Sequence, residues 1–146
     1  MLSKKTKYGI KALTYICKKQ SEHPISILEI SEAEIIPRKF LEAILLDLKK
    51  GKILGSRKGK TGGYYLLRNA SEIYMSEVIR LLNGPIAMVP CVSLNFYEKC
   101  DDCPYEEGCG VNRLMLEVRD SALKILEEKS LAQLCMEINS NYLSVD

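Results

Sequence analysis

The chain has 146 residues, 47 % of them apolar, and a net charge of +2, which suits one compact domain, or a small domain with an arm, around a real hydrophobic core. Its apolar runs are too short to span a membrane, and no apolar stretch follows Lys4, Lys5 and Lys7 as a secretory signal would require, so the expected compartment is the cytoplasm. The charge is unevenly shared: residues 1–68 carry 15 Lys and Arg against 6 Asp and Glu, a net of +9, and residues 69–146 carry 6 against 13, a net of −7. A basic half suits a polyanion, because Lys and Arg displace counterions from phosphates; two solvated faces that differ by accident are the bland alternative.

In chain order, Ser3 can cap a first helix running to about Lys19, with Ile10, Leu13 and Cys17 at helical spacing. His23-Pro24 breaks it. Ser26-Ile27-Leu28-Glu29 is a capping box, in which serine and glutamate satisfy each other's exposed amides, so a short helix is expected from Ile27 to about Ala33. Glu34-Ile35-Ile36 is a tight turn, Pro37 suits the first turn of the next helix, and Arg38 to Lys50 carries Leu41, Ile44, Leu45 and Leu48 on one face, with Gly51 as the stop. Two short helices joined by so tight a turn form a helix-turn-helix pattern. Ile53–Arg57 and Tyr64–Leu67 then read as strands joined by the Gly-rich, basic turn at 58–63. A hairpin of this kind directly after a helix-turn-helix is a wing. Gly55 to Thr61 looks like a P-loop but is one residue short between its glycines and is followed by a strand, which excludes that route to ATP binding.

Ser76 is expected to cap a short helix from Glu77 to Leu82, ended by Asn83-Gly84-Pro85. A cysteine-rich loop spans Pro90 to Gly110, and a long helix follows from Val111 to about Glu128. On that helix Val111, Leu114, Val118 and Ile125 make a coiled-coil-like seam, while Met115, Ala122 and Leu126 make a second stripe. Two stripes imply partners on two sides, one in the same domain and one in a second chain, against the simpler alternative of a buried helix. Ser130-Leu131-Ala132-Gln133 is another capping box and opens the last helix. The expected fold is therefore mainly α with a small β-hairpin wing: a winged helix-turn-helix domain at 1–84, a cysteine loop at 85–110, and a dimerisation helix with a C-terminal helix at 111–146.

These stretches are similar to those of the IscR/NsrR/CymR regulators, the Rrf-two family. The resemblance lies in Lys5 to Leu13, Phe40-Leu41-Glu42, Gly62-Gly63-Tyr64-Tyr65-Leu66, Val78 to Pro85, Pro90-Cys91 and Ser130 to Cys135. It covers nearly the whole chain in family order, and the Gly-Gly-Tyr wing with the Gly-Pro turn is specific as a pair. It implies a winged-helix domain, an extended dimerisation helix and binding to inverted-repeat promoter DNA, with a recognition helix in the major groove and the wing in the minor groove; the leading reading is a homodimeric, ligand- or redox-gated repressor. The DNA-facing helix positions fall on Pro37, Arg38, Lys39 and Glu42, and the wing-tip positions on Arg57, Lys58 and Lys60. A glutamate can accept from a cytosine amino group, lysines fix register on phosphates, and a cationic tip suits a narrow minor groove. Pro37 and Lys39 stand where the better-known pattern has small hydroxyl residues, so the operator cannot be carried over.

The cysteines follow Cys91-x8-Cys100-x2-Cys103-x5-Cys109. The resemblance implies an iron–sulfur ligand set of three loop cysteines, which Cys91, Cys103 and Cys109 match best. The fourth ligand varies among relatives: a histidine position falls on Asn112 and an N-terminal acidic position near Lys7, neither of which can serve. Cys100 is extra and could complete a four-thiolate site, a donor set that suits an Fe–S cluster or zinc. The readings, in order, are an Fe–S cluster, zinc and a thiol switch. Asp101 and Asp102 would raise the thiol pKa of a Cys100–Cys103 dithiol, and no thioredoxin-like unit precedes it. Cys17 and Cys135 sit on apolar helical faces and read as core. No nucleophile–base pair supports an enzyme; a thiol-disulfide oxidoreductase and a zinc-stapled interaction module are the rivals of a DNA-binding regulator.

Overall fold

The computed structural model describes residues 2–142. They form α1 (Lys4–Lys19), α2 (Ile27–Glu34), α3 (Arg38–Lys50), β1 (Leu54–Arg57), β2 (Gly63–Leu66), α4 (Met75–Asn83), α5 (Gly110–Glu128) and α6 (Leu131–Tyr142), with 3-10 turns at Ala70–Glu72 and Pro90–Val92. The expected region 111–146 thus ends four residues outside the described chain.

Ser3 opens α1 as expected, its Oγ accepting the Thr6 N–H at 3.2 Å. The same corner is tied to the end of α4, because the Ser3 N–H and the Thr6 hydroxyl both donate to Asn83 Oδ1, at 2.8 and 3.2 Å. The capping box of α2 is only half formed. Ser26 Oγ accepts from the Glu29 N–H at 3.2 Å, but the Glu29 carboxylate turns away, accepting from the Tyr15 hydroxyl at 2.9 Å and pairing with Lys19 at 3.0 Å. The reciprocal half of the box has been exchanged for a clamp between α1 and α2.

The turn into α3 places Ile35 in the left-handed region, φ 54°, where a β-branched residue is disfavoured. Ile35 is 86 % exposed while Ile36 is buried. The turn therefore delivers Ile36 to the core and leaves its predecessor in the awkward conformation. α3 spans Arg38–Lys50 as expected, and Pro37 stands directly before it as the cap. Leu41, Ile44, Leu45 and Leu48 are fully buried beside Leu13, Ile30, Ile53, Leu54 and Ile73, each contributing about 1.5–3 kcal/mol relative to an exposed side chain. Gly51 follows α3, but the left-handed residue is Lys52, φ 58°. A Cβ at Gly51 would press on the end of the Leu81 side chain on α4, which would have to shift.

β1 and β2 pair antiparallel, from Leu54 opposite Leu66 to Arg57 opposite Gly63. Ile25 extends this hairpin by one residue, exchanging two backbone hydrogen bonds of 2.8 Å with Tyr64. α4 starts earlier than its sequence suggests. Tyr74 precedes it and Ser76 is buried inside it rather than capping it. The cause is a long-range contact: Tyr74 bridges to Ser130, and the Met75 N–H donates to Lys129 O at 2.9 Å. The Ser130 box is complete, with Gln133 N–H to Ser130 Oγ at 3.3 Å and Ser130 N–H to Gln133 Oε1 at 2.9 Å. On α5, Leu123 is buried and Leu126 packs on the core, while Val111, Leu114, Val118 and Ile125 are exposed at 59, 54, 38 and 63 %.

Candidate DNA-binding face and cysteine cleft

The buried stripe of α3 turns its opposite face to solvent. Pro37, Arg38, Lys39 and Glu42 are all exposed at or near its N-terminus. Arg38 Nε lies 3.6 Å from Glu42 Oε1, an i,i+4 pair, so in the free protein the carboxylate already has a cationic neighbour. Phe40, on the same turn, stacks edge-on against Tyr8 of α1, with ring centroids 5.6 Å apart. The hairpin turn is tight: Gly59 has φ 107° and its carbonyl accepts the Gly62 N–H at 3.0 Å. Arg57, Lys58 and Lys60 are exposed there. The Arg57 guanidinium lies over the Tyr65 ring, 5.9 Å from its centroid, which steadies a long side chain that would otherwise sample many rotamers.

The cysteine loop runs from the Pro90–Val92 turn to α5. Cys91, Cys100, Cys103 and Cys109 all line one open cleft of roughly 760 Å³. Cys109 caps α5, its sulfur accepting the Asn112 N–H at 3.4 Å. The Asn112 side chain reaches across and donates Nδ2–H to Cys91 Sγ, also at 3.4 Å. One residue thus joins two of the four sulfurs. Sequence reasoning treats Asn112 only as a histidine position that cannot ligate; its place three residues into a cysteine-capped helix is the signal that would have found it. The Asn112 amide holds the Cys109 thiol below its ordinary pKa. Burial pushes Cys103 up, and Cys109 beside it adds to the effect. Tyr97 donates to Glu106 across the same loop.

Four soft donors facing one cleft fit a thiophilic metal group in kind. Among the described residues, no three Cys, His, Asp or Glu side chains stand close enough together to hold a metal ion as placed. The four thiols share one cleft without converging on one point. Cys17 and Cys135 lie elsewhere, where α1 meets α6.

Residues 2–137 match the family model for Rrf2, described as an iron-dependent transcriptional regulator. The chain belongs to the Rrf2 family. It is 37 % identical over 134 residues to an HTH-type transcriptional regulator of Rhodobacter capsulatus described as rrf2-like, covering 90 % of this chain and 89 % of that one. It is 27 % identical to the HTH-type transcriptional regulator NsrR of Oceanobacillus iheyensis, over 91 % of this chain and 88 % of that one. The solved structure of CymR, the global cysteine regulator of B. subtilis, superposes with a TM-score of 0.77 at 26 % identity, covering 94 % of this chain and 97 % of that one. This Rrf2 chain is a DNA-binding transcriptional regulator with a winged helix-turn-helix fold, and not an enzyme. No helix among its described residues is long and apolar enough to cross a membrane.

Proposed function

We propose that this regulator is a cytoplasmic repressor that binds inverted-repeat promoter DNA as a homodimer, and that an Fe–S cluster on its cysteine loop tunes the binding. Arg38, Lys39 and Glu42 contact the major groove, and Arg57, Lys58 and Lys60 the minor groove and its phosphates. The observation that carries the reading is the pairing of an exposed cationic helix start and wing tip with four thiols in one cleft at the foot of α5. The family's iron-dependent description supports the metal, and the exposed Val111, Leu114, Val118 and Ile125 stripe supports a second copy. Cys91, Cys103 and Cys109 would hold the cluster, with Cys100 as the fourth thiolate. Bound, the cluster would supply a charge and a redox state that oxygen or other oxidants can change.

The test titrates operator duplex with cluster-loaded and metal-free protein, prepared without oxygen, at several salt concentrations. Loaded and metal-free forms should differ by some 5–150-fold in affinity. Replacing both Lys39 and Lys58 by Ala should flatten the salt dependence by about two phosphate contacts. Val118→Asp should place a carboxylate in the stripe and give monomers in sedimentation. Unchanged affinity in the double lysine variant rejects the docking face, and identical affinities of the two forms leave the cysteine cleft without a regulatory role.

A further inference from the structure

Cys17 on α1 and Cys135 on α6 lie 118 positions apart in sequence and meet in the fold. The Cys135 thiol points at α1, its Sγ donating to the Thr14 carbonyl at 3.9 Å, and Cys17, one turn further along α1, lines the same cleft, near enough to perturb the Cys135 thiol. Both open onto a cleft of roughly 570 Å³ between α1, β2 and α6, which is separate from the cysteine loop. Cys135 is buried and Cys17 half-buried. Among the described residues no third Cys, His, Asp or Glu converges on them to make a metal site. Two neighbouring thiols that share a cleft and lack a third ligand have the layout of a pair that closes on itself. The rim of the cleft carries Lys18 and Arg57 against Glu22, with His23 also on it.

We propose that Cys17 and Cys135 are a disulfide-forming pair, oxidised through this cleft by a small disulfide bearing carboxylates. Those carboxylates suit Lys18 and Arg57 on the rim. The Cys17 thiolate attacks one sulfur of the small disulfide; a mixed disulfide forms and one small thiolate leaves. The Cys135 sulfur, giving its proton to that thiolate, then attacks Cys17 Sγ. The Cys17–Cys135 bond forms, the mixed disulfide breaks, and the second small thiolate departs, taking up the proton first lost by Cys17. Two protein thiols are oxidised and one small disulfide is reduced to two thiols. The order of events follows from burial, which, with the Cys17 thiol beside it, pushes Cys135 up to about 12; a thiol held protonated is a poor first nucleophile. The resulting bond would staple α6, which follows α5, to α1 at the base of the wing.

The full chain is treated with oxidised glutathione, alkylated, digested with trypsin and mapped by mass. Cleavage after Lys11 and Lys18 releases peptide 12–18, and cleavage after Lys129 releases 130–146, each with one cysteine, while the loop cysteines Cys100, Cys103 and Cys109 fall together in 100–113. The expected result is a linked pair, 12–18 to 130–146, with loss of both thiols from the alkylated pool. In Cys135→Ser the glutathionyl adduct should stop on Cys17. The proposal is overturned if both thiols stay alkylatable while the loop cysteines are consumed, or if Cu(I) shields both from alkylation and glutathione never links them, which would make the pair a two-coordinate metal site.

Discussion

The winged head and the cysteine loop solve the problem of order in opposite ways. In the head, side chains such as Leu41, Ile44 and Leu48 are fully buried, and the hairpin is fastened to Ile25 by two 2.8 Å backbone bonds. In the loop, Phe96 and Tyr105 are 62 and 79 % exposed, and order comes from polar contacts: Phe96 N–H to Ser93 Oγ at 3.0 Å, Tyr97 to Glu106, and Asn112 to two sulfurs. Apolar burial makes the head rigid without any ligand. The loop has little apolar contact around its thiols, and the proposed cluster is what would draw them together. A DNA-reading surface benefits from being preformed, whereas the sensing role proposed for the loop needs a shape that a bound group can change.

The largest expected effect breaks the head. Gly63 has φ 155°, and a Cβ there would overlap the backbone of Ile25. Backbone cannot swing aside as a side chain can. Gly63→Ala should therefore detach the hairpin from Ile25 and cost about 3 kcal/mol, read as a lowered midpoint in urea. It should also abolish specific DNA binding while leaving the cysteine loop able to take up metal. A stability within error of the wild type would mean that the wing is not fastened as described.

An intermediate effect separates the loop's two duties at one residue. Cys109 is both the cap of α5 and a candidate ligand. Cys109→Ala removes both and should cost about 1 kcal/mol of stability in metal-free protein, the usual loss for a helix cap. Cys109→Ser keeps an acceptor for the Asn112 N–H and should stay within a few tenths of a kcal/mol of wild type. Both should lose the proposed cluster, measured as iron and sulfide per chain. Equal stability of the Ala and Ser variants would show that the sulfur caps nothing.

Much of the fold was legible because its signals are local. Ser3, Ser26 and Ser130 cap the helices their spacing indicates, and α5 turns one apolar stripe inward and leaves the other exposed. The misread positions are those settled by residues far away. Ser76 fails to cap α4 because Tyr74 and Met75 pair with residues 129 and 130. Gly51 does stop α3, but without a left-handed turn, and beside it lies the Leu81 side chain of a distant helix. At the cysteine cleft the four thiols announce themselves by spacing, but Asn112 is found only once Cys109 is read as the cap of α5, three residues before it. The contact of Cys17 with Cys135 depends on how α6 returns to α1, and no periodicity records that.

The smallest expected effect sharpens the same comparison by asking whether polar contacts matter to the head at all. Glu29 clamps α1 to α2. The Lys19 ammonium, then the Tyr15 hydroxyl, holds its carboxyl below the usual range. A depressed carboxyl contributes stability above its unfolded pKa, about 4.3, and that contribution is lost as pH falls through the lower folded value. Lys19 is raised, chiefly by Glu29, so its share is present below about pH 10.4 and is lost as pH rises beyond it. The clamp is therefore whole between roughly pH 5 and 9. Glu29→Gln keeps an acceptor for Tyr15 and removes only the charge. Because the Lys19 and Glu29 side chains are 48 and 42 % exposed, solvent screens the pair, and the variant should melt only about 1–3 °C lower. That gap should hold steady across the window, begin to close as pH falls below about 4.3, and shut as it passes the lower folded value of Glu29. A gap much larger than this would mean that the head relies on its polar clamp as the loop relies on its polar contacts, and the contrast between the two regions would fail. A gap that persists unchanged at pH 3 would show that the amide perturbs packing rather than charge.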